Sequence, residues 1–206
     1  MSPNNDDTDG DTEMPSSFRI PQATIDGAYG AVMTRVARRM WDKVPDNAYV
    51  LWHNKPVLKA VFGFEQKVGK WTSLDPHLKT YAEMASAGAI GCSWCLDFGY
   101  FMAHTKGLDE AKVREVPRWR ESDVFTDLER DVMAYAEAMT ATPPEVTDQM
   151  VADLDRQLGH AAVVELTMMV AVENERSRFN SAMGLASQGF SDVCELPLAR
   201  AGTIDR

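Results

Sequence analysis

The chain has 206 residues, 45% of them hydrophobic, and a formal net charge of -10. That is enough apolar material for one buried core. An acidic body without a lysine and arginine cluster lacks the charge that a phosphate backbone requires, which argues against nucleic acid and for small molecules or proteins as partners. The most apolar run, Ala161 to Val172, is short and carries Glu165, so no membrane span is expected.

Asp6, Asp7, Asp9, Asp11 and Glu13 all precede the first base, Arg19, so half of the net charge sits ahead of it. Residues 1–16 are rich in Asp, Asn, Ser, Thr and Pro and hold too little apolar surface to offset the entropy of ordering, which predicts a disordered acidic tail ahead of a single domain over 17–206. The start has no basic segment followed by an apolar one, so export is not indicated and a cytoplasmic location is expected. Beyond the tail, apolar residues recur at spacings of three and four, and no alternating run of β-branched residues competes with them; the fold class is all-α. The spacing predicts helices near 24–42, 55–69, 76–89, 92–106, 109–116, 126–140, 147–157 and 161–184. Punctuation agrees: Asp75-Pro76 supplies a cap and an N1 proline, and Thr126 with Glu129 forms a capping box. Thr147 opens a helix after Pro143-Pro144, and Gly107 sits where a helix would stop.

Two of the three cysteines, Cys92 and Cys95, are spaced as C-x-x-C in GCSWCLDFGYFMAH. Such a pair can be a redox couple, half of a metal site, or two small buried residues. Gly91 breaks the preceding helix and sets Cys92 at the start of the next, where unpaired N–H groups and the positive dipole end favour a thiolate. Three helical residues turn the chain by about 300°, so Cys95 lies on nearly the same face and within reach of a disulfide. Structural zinc wants four ligands, and with only Cys194 and four scattered histidines left, neither metal nor cofactor is expected.

Four segments taken together carry a resemblance: LWHNKPVLKAVFGFEQKV (Leu51–Val68), LDPHLKTYAEMASAGAIGCSWC (Leu74–Cys95), ERDVMAYAEAMT (Glu129–Thr140) and VVELTMMVAVENERSRFNSAMGL (Val163–Leu185). The chain resembles the carboxymuconolactone decarboxylase and alkylhydroperoxidase-D-like family. The resemblance implies an all-helical bundle with the C-x-x-C at the start of a central helix, assembled as a trimer or hexamer through helical faces. For the redox branch it implies that Cys95 attacks a hydroperoxide and that Cys92 resolves the sulfenic acid to a disulfide. That branch also has a glutamate twelve residues before the first cysteine and a histidine four after the second. Here those places hold Thr80 and Gly99.

Glu83, one turn closer to the cysteines than Thr80, is a candidate for part of that relay, the alternative being a solvated surface acid. His53, in an H-N-x-P turn, is a second candidate, with a turn-stabilising or interface role as the alternative. His104 lies nine residues past Cys95, about 13 Å along the helix, and cannot stand in for a residue at 99. Trp94, Phe98, Tyr100 and Phe101 form an apolar surround for a substrate or for the core. Glu165, Glu173, Arg176, Arg178 and Asn180 are expected to make structural ion pairs and interface contacts, and Cys194 to be an incidental thiol. The leading function is a thiol-disulfide oxidoreductase that reduces hydroperoxides or exchanges disulfides with a protein partner. A lyase of the decarboxylase branch, which needs acid-base residues and no thiol pair, is the second reading, and a non-enzymatic helical assembly or redox sensor is the third.

Overall fold

The computed structural model describes residues 15–199. The five acids of the expected tail lie outside the described residues. Nine α-helices and two short 3-10 segments make up the described chain, with no strand among the described residues. They are α1 (Gly27–Trp41), α2 (Asp46–Leu51), α3 (Lys55–Val68), α4 (Pro76–Ile90), α5 (Ser93–Thr105), α6 (Glu110–Val113), α7 (Asp127–Thr140), α8 (Asp148–Leu158) and α9 (His160–Met183). The 3-10 segments are Val116–Glu121 and Ser191–Val193.

Helix boundaries follow the local chemistry. Asp75 accepts the N–H groups of His77 and Leu78 at the start of α4, and Thr126 with Glu129 closes a reciprocal capping box on α7. Thr147 caps α8, and Gly107, at φ 68°, follows the end of α5. The expected helix at 24 begins only at Gly27, because the preceding chain is extended and Ala23 N–H is bonded to the Tyr49 carbonyl. The six-residue α2 and the 3-10 turn at Val116 are too short to carry a periodic signal and were not predicted.

Helix α4 is the hub, packed against α5, α7 and α9. Tyr81, Ala82, Met84 and Ala85 of α4 meet Tyr100 and Ala103 of α5, Val132, Met133 and Ala136 of α7, and Leu166 and Val170 of α9 in the main core. A second cluster joins Val50, Ala87, Cys92, Trp94, Cys95, Leu185 and Phe190. Close approach of α4 and α5 depends on Gly99, since a β-carbon there would stand 3.3 Å from Met84 Cγ. The chain after α9 returns across the bundle, and its beginning is tied to residues 16–19: Ser17 N–H and Arg19 N–H donate to the carbonyls of Gly184 and Met183, and Ser16 Oγ accepts from Ala186 N–H. No described helix is long and apolar enough to cross a membrane.

Candidate functional site

The turn between α4 and α5 places the thiols. Gly91 takes φ 79°, a left-handed conformation that favours glycine, and Gly91 and Cys92 N–H both return to the Ala87 carbonyl. Cys92 is thereby released into extended backbone as the N-cap of α5, where its Sγ accepts the Cys95 N–H at 3.3 Å. Cys95, one turn on, points the same way; the two sulfurs are 2.6 Å apart and both are buried. The geometry separates them electrically. Donation from the Cys95 thiol lowers Cys92 to about 7, with help from the Cys95 N–H and against the cost of burial. Cys95 is pushed up, by donating a hydrogen bond to the Cys92 sulfur, by burial and by the negative charge of Glu173. The pair therefore titrates as a unit whose first thiolate sits on Cys92.

Helix α9 supplies the groups around Cys95. Glu173, Arg176, Ser177 and Asn180 recur at helical spacing on one face. Asn180 Nδ2 donates to Cys95 Sγ at 3.4 Å, and Ser177 Oγ donates to Glu173 Oε1 at 2.6 Å. Glu173 is 5% exposed. Burial, together with the charge of Glu83, pushes its carboxyl up to about 8 despite the pull of Arg176. The Arg176 guanidinium is shared: it grips both oxygens of Glu65 at 2.8 and 2.6 Å, reaches Glu83 at 2.7 Å, and is left 3.3 Å from Glu173. One cation serving three carboxylates leaves the most buried of them nearest to neutral, and that one borders the thiols.

Of the residues singled out in the sequence, Cys92 and Cys95 come together and Glu83 stands behind them, bound to Arg176. His53 is exposed and its Nε2 bonds the Pro21 carbonyl at 2.7 Å, a turn-holding contact. Thr80 is buried in α4. Glu173, expected to be a structural ion-pair member, does pair with Arg176 at 3.3 Å, and it is also the carboxyl beside Cys95. Its signal was present in the E-x-x-R-S-x-x-N spacing of Glu173 to Asn180, which puts all four on one helical stripe. Glu165 does behave structurally, holding Lys79 and the Ser73 N–H.

An aromatic layer lines the other side of the pair. Trp94 stacks on Phe98 at 5.0 Å, and Phe190 meets Phe98 edge-on at 5.1 Å. Phe190 is delivered by a loop that Asp97 straps down through the N–H groups of Gln188, Phe190 and Ser191 and the Ser191 hydroxyl. Trp94 Nε1 donates to Gln188 Oε1 in the same loop. On its outer side lies a cavity of about 290 Å³ lined by Arg38, Trp41, Lys43, Phe101 and Phe190. The trio with metal-ligand chemistry among the described residues, His104, Glu110 and Cys194, belongs to the far end of α5.

The carboxymuconolactone decarboxylase family model matches residues 55–138, from the start of α3 almost to the end of α7. The chain is also 30% identical over 173 residues to the uncharacterized protein YnjA of Escherichia coli K12, covering 84% of this chain and 87% of that one. The chain belongs to the carboxymuconolactone decarboxylase family. Among solved structures, a peroxidase-related protein from Ralstonia eutropha JMP134 with an alkylhydroperoxidase AhpD core superposes with a TM-score of 0.74 at 15% identity, over 87% of this chain and 97% of that one. A variant of the debrominase Bmp8 in complex with 2,3,4-tribromopyrrole superposes with a TM-score of 0.73 at 19% identity, over 85% and 96% of the two chains. At these identities the likeness is one of fold. It agrees with the expected all-helical, alkylhydroperoxidase-D-like bundle and with the C-x-x-C at the start of one of its inner helices.

Proposed function

We propose that this family member is a thiol-disulfide oxidoreductase that passes two electrons from the Cys92/Cys95 dithiol to a hydroperoxide or a disulfide. The observation that carries the reading is the pair of sulfurs 2.6 Å apart with the buried Glu173 carboxyl bordering Cys95. Cys92, the thiol that ionises first, attacks the distal oxygen of a hydroperoxide; an S–O bond forms, the O–O bond breaks, and the departing alkoxide takes the proton of the neutral Glu173 carboxyl, leaving as an alcohol and turning Glu173 into a carboxylate. Cys95 then gives its proton to the Glu173 carboxylate and attacks the Cys92 sulfenic sulfur. The S–S bond forms, the S–O bond breaks, and hydroxide takes the proton from Glu173 and leaves as water. With a disulfide as oxidant the same two attacks release two thiols. An external thiol reductant restores the dithiol, and a reducing cytoplasm would keep it so.

This order makes Cys92 the nucleophile, the reverse of the roles that the resemblance implies. The electrostatic ranking of the two thiols favours it, as does the absence of the family histidine at Gly99. Sulfenic-acid trapping in single turnover with an organic hydroperoxide distinguishes the two orders: Cys95→Ser accumulates a trapped adduct on Cys92, and Cys92→Ser does not react. Thiols oxidised no faster than free cysteine, or a wild-type pair that forms no disulfide, would overturn the proposal. A bromopyrrole belongs in the same assay as a third oxidant, because Trp94, Phe98 and Phe190 pack in the same apolar cluster as the two thiols. Self-association is part of the proposal too. Tyr29, Val32, Val36 and Met40 form an exposed apolar stripe along α1 at helical spacing, suited to packing against another copy in a trimer or hexamer.

A further inference from the structure

We propose that His104, Glu110 and Cys194 form a binding site for a divalent metal ion of the zinc class. Sequence spacing gave no hint of it, because the three residues come from the end of α5, the start of α6 and the chain beyond α9, and only the fold assembles them. Their ligand atoms all lie within 4.8 Å of one another. Donors held at 2.0–2.3 Å around a tetrahedral ion stand about 3.5 Å apart, so closing the trio on zinc asks for a shift of about an ångström. One imidazole, one carboxylate and one thiolate are a donor set that suits zinc over calcium or magnesium, which prefer oxygen alone.

The surroundings are those of a supported ligand set. Glu110 Oε1 faces His104 Nδ1, while its Oε2 accepts from Glu195 N–H at 3.1 Å and lies 3.5 Å from the Tyr100 hydroxyl. One carboxylate oxygen is thus fixed from behind and the other is presented to the imidazole, the arrangement by which outer partners orient a metal ligand. The arm that carries Cys194 is held in place directly beyond it. Tyr100 donates to the Leu196 carbonyl at 2.7 Å, Arg114 Nε donates to the Pro197 carbonyl at 2.9 Å, and Ala199 N–H donates to the Arg114 carbonyl at 2.9 Å. A simple His104–Glu110 ion pair accounts for two members of the trio and leaves the thiol unexplained. Glu110, Asp97 and Asp192 all bring negative charge toward Cys194, surroundings that a divalent cation compensates and a lone thiol does not need.

Binding displaces the direct His104–Glu110 contact, releases the Cys194 proton to solvent and leaves a fourth position for water, since all three ligands are only partly buried. The ion would pin the arm directly after the loop that holds Phe190 against the aromatic layer, and so couple metal occupancy to the cover of the thiol pair. The inference stands independently of the redox reading.

The test uses the full chain with Cys92→Ser and Cys95→Ser, which removes the other thiols able to take zinc. After chelator treatment, zinc is titrated against a chromogenic competitor, and cobalt is added to a second sample to read the thiolate charge-transfer band. One equivalent of zinc, a cobalt-thiolate band, and binding weakened about a hundredfold or more by Cys194→Ser and by His104→Gln support the site. Protection of Cys194 from alkylation by zinc, reversed by chelator, gives the same answer in a protein with all three ligands intact. Zinc binding no tighter than buffer controls, binding unchanged by either substitution, or alkylation of Cys194 indifferent to zinc would overturn it.

Discussion

Replacing Glu173 by glutamine tests the centre of the proposed mechanism and the electrostatics together. The wild-type carboxyl, raised from 4.5 to about 8, holds its proton in the folded protein over a range where the unfolded chain has released it. The neutral form therefore contributes stability that is complete below about pH 4.5 and is lost as pH rises through about 8, amounting to about 5 kcal/mol at about 1.4 kcal/mol per unit. Glutamine keeps an acceptor for the Ser177 hydroxyl and carries no charge to bury. Subtracting wild type from Glu173→Gln in urea unfolding at about pH 5 and about pH 8.5 should show the variant gaining several kcal/mol at the higher pH. Cys92 works in the opposite sense: its depressed thiol contributes above the unfolded value and loses that contribution as pH falls through about 7. Being present in both proteins, it largely cancels in the difference. Disulfide closure, followed as loss of free thiol after one equivalent of oxidant, should slow by about 10²-fold or more without the base. A stability difference that stays constant with pH would mean that Glu173 ionises like a surface acid, and the assignment of the base would fall with it.

Three further outcomes follow from the same contacts. Alkylation of Cys92, read by mass spectrometry across pH, should have its midpoint near 7 in wild type and move upward in Cys95→Ala, because the Cys95 thiol is the largest influence lowering it; equal midpoints would refute that coupling. Gly99→His puts back the histidine of the redox branch, yet its β-carbon meets Met84, so the substitution should cost about 1–3 kcal/mol by overpacking, partly recovered with Met84→Ala in thermal unfolding. Charging the α1 stripe with Val32→Glu and Val36→Glu should lower the mass measured by light scattering toward that of one chain, and an unchanged mass would remove that face from any interface.

The fold was legible where the chain states it locally. Caps at Asp75, Thr126 and Thr147, the Gly91 stop and the apolar spacing each act within a few residues, and the helices they imply are present to within three residues at either end. The placement of Cys92 at a helix start is equally local, which is why its acidity could be argued from GCSWC alone. What could not be read is who stands opposite. Glu173 and Cys95 are 78 residues apart, and the identity of the buried acid depends on how one arginine divides itself. Arg176 reaches across to Glu65 of α3 and Glu83 of α4, and its two bonds to Glu65 draw it away from Glu173. Glu83, the acid that helical geometry singled out, lies on the outer side of that division, a paired and partly exposed carboxylate. Glu173, which the pattern classed with the ion pairs, is left short of charge compensation inside the protein. Sequence can count one base among three acids; only packing decides which acid is buried, and in this molecule burial is what makes a base for a thiol.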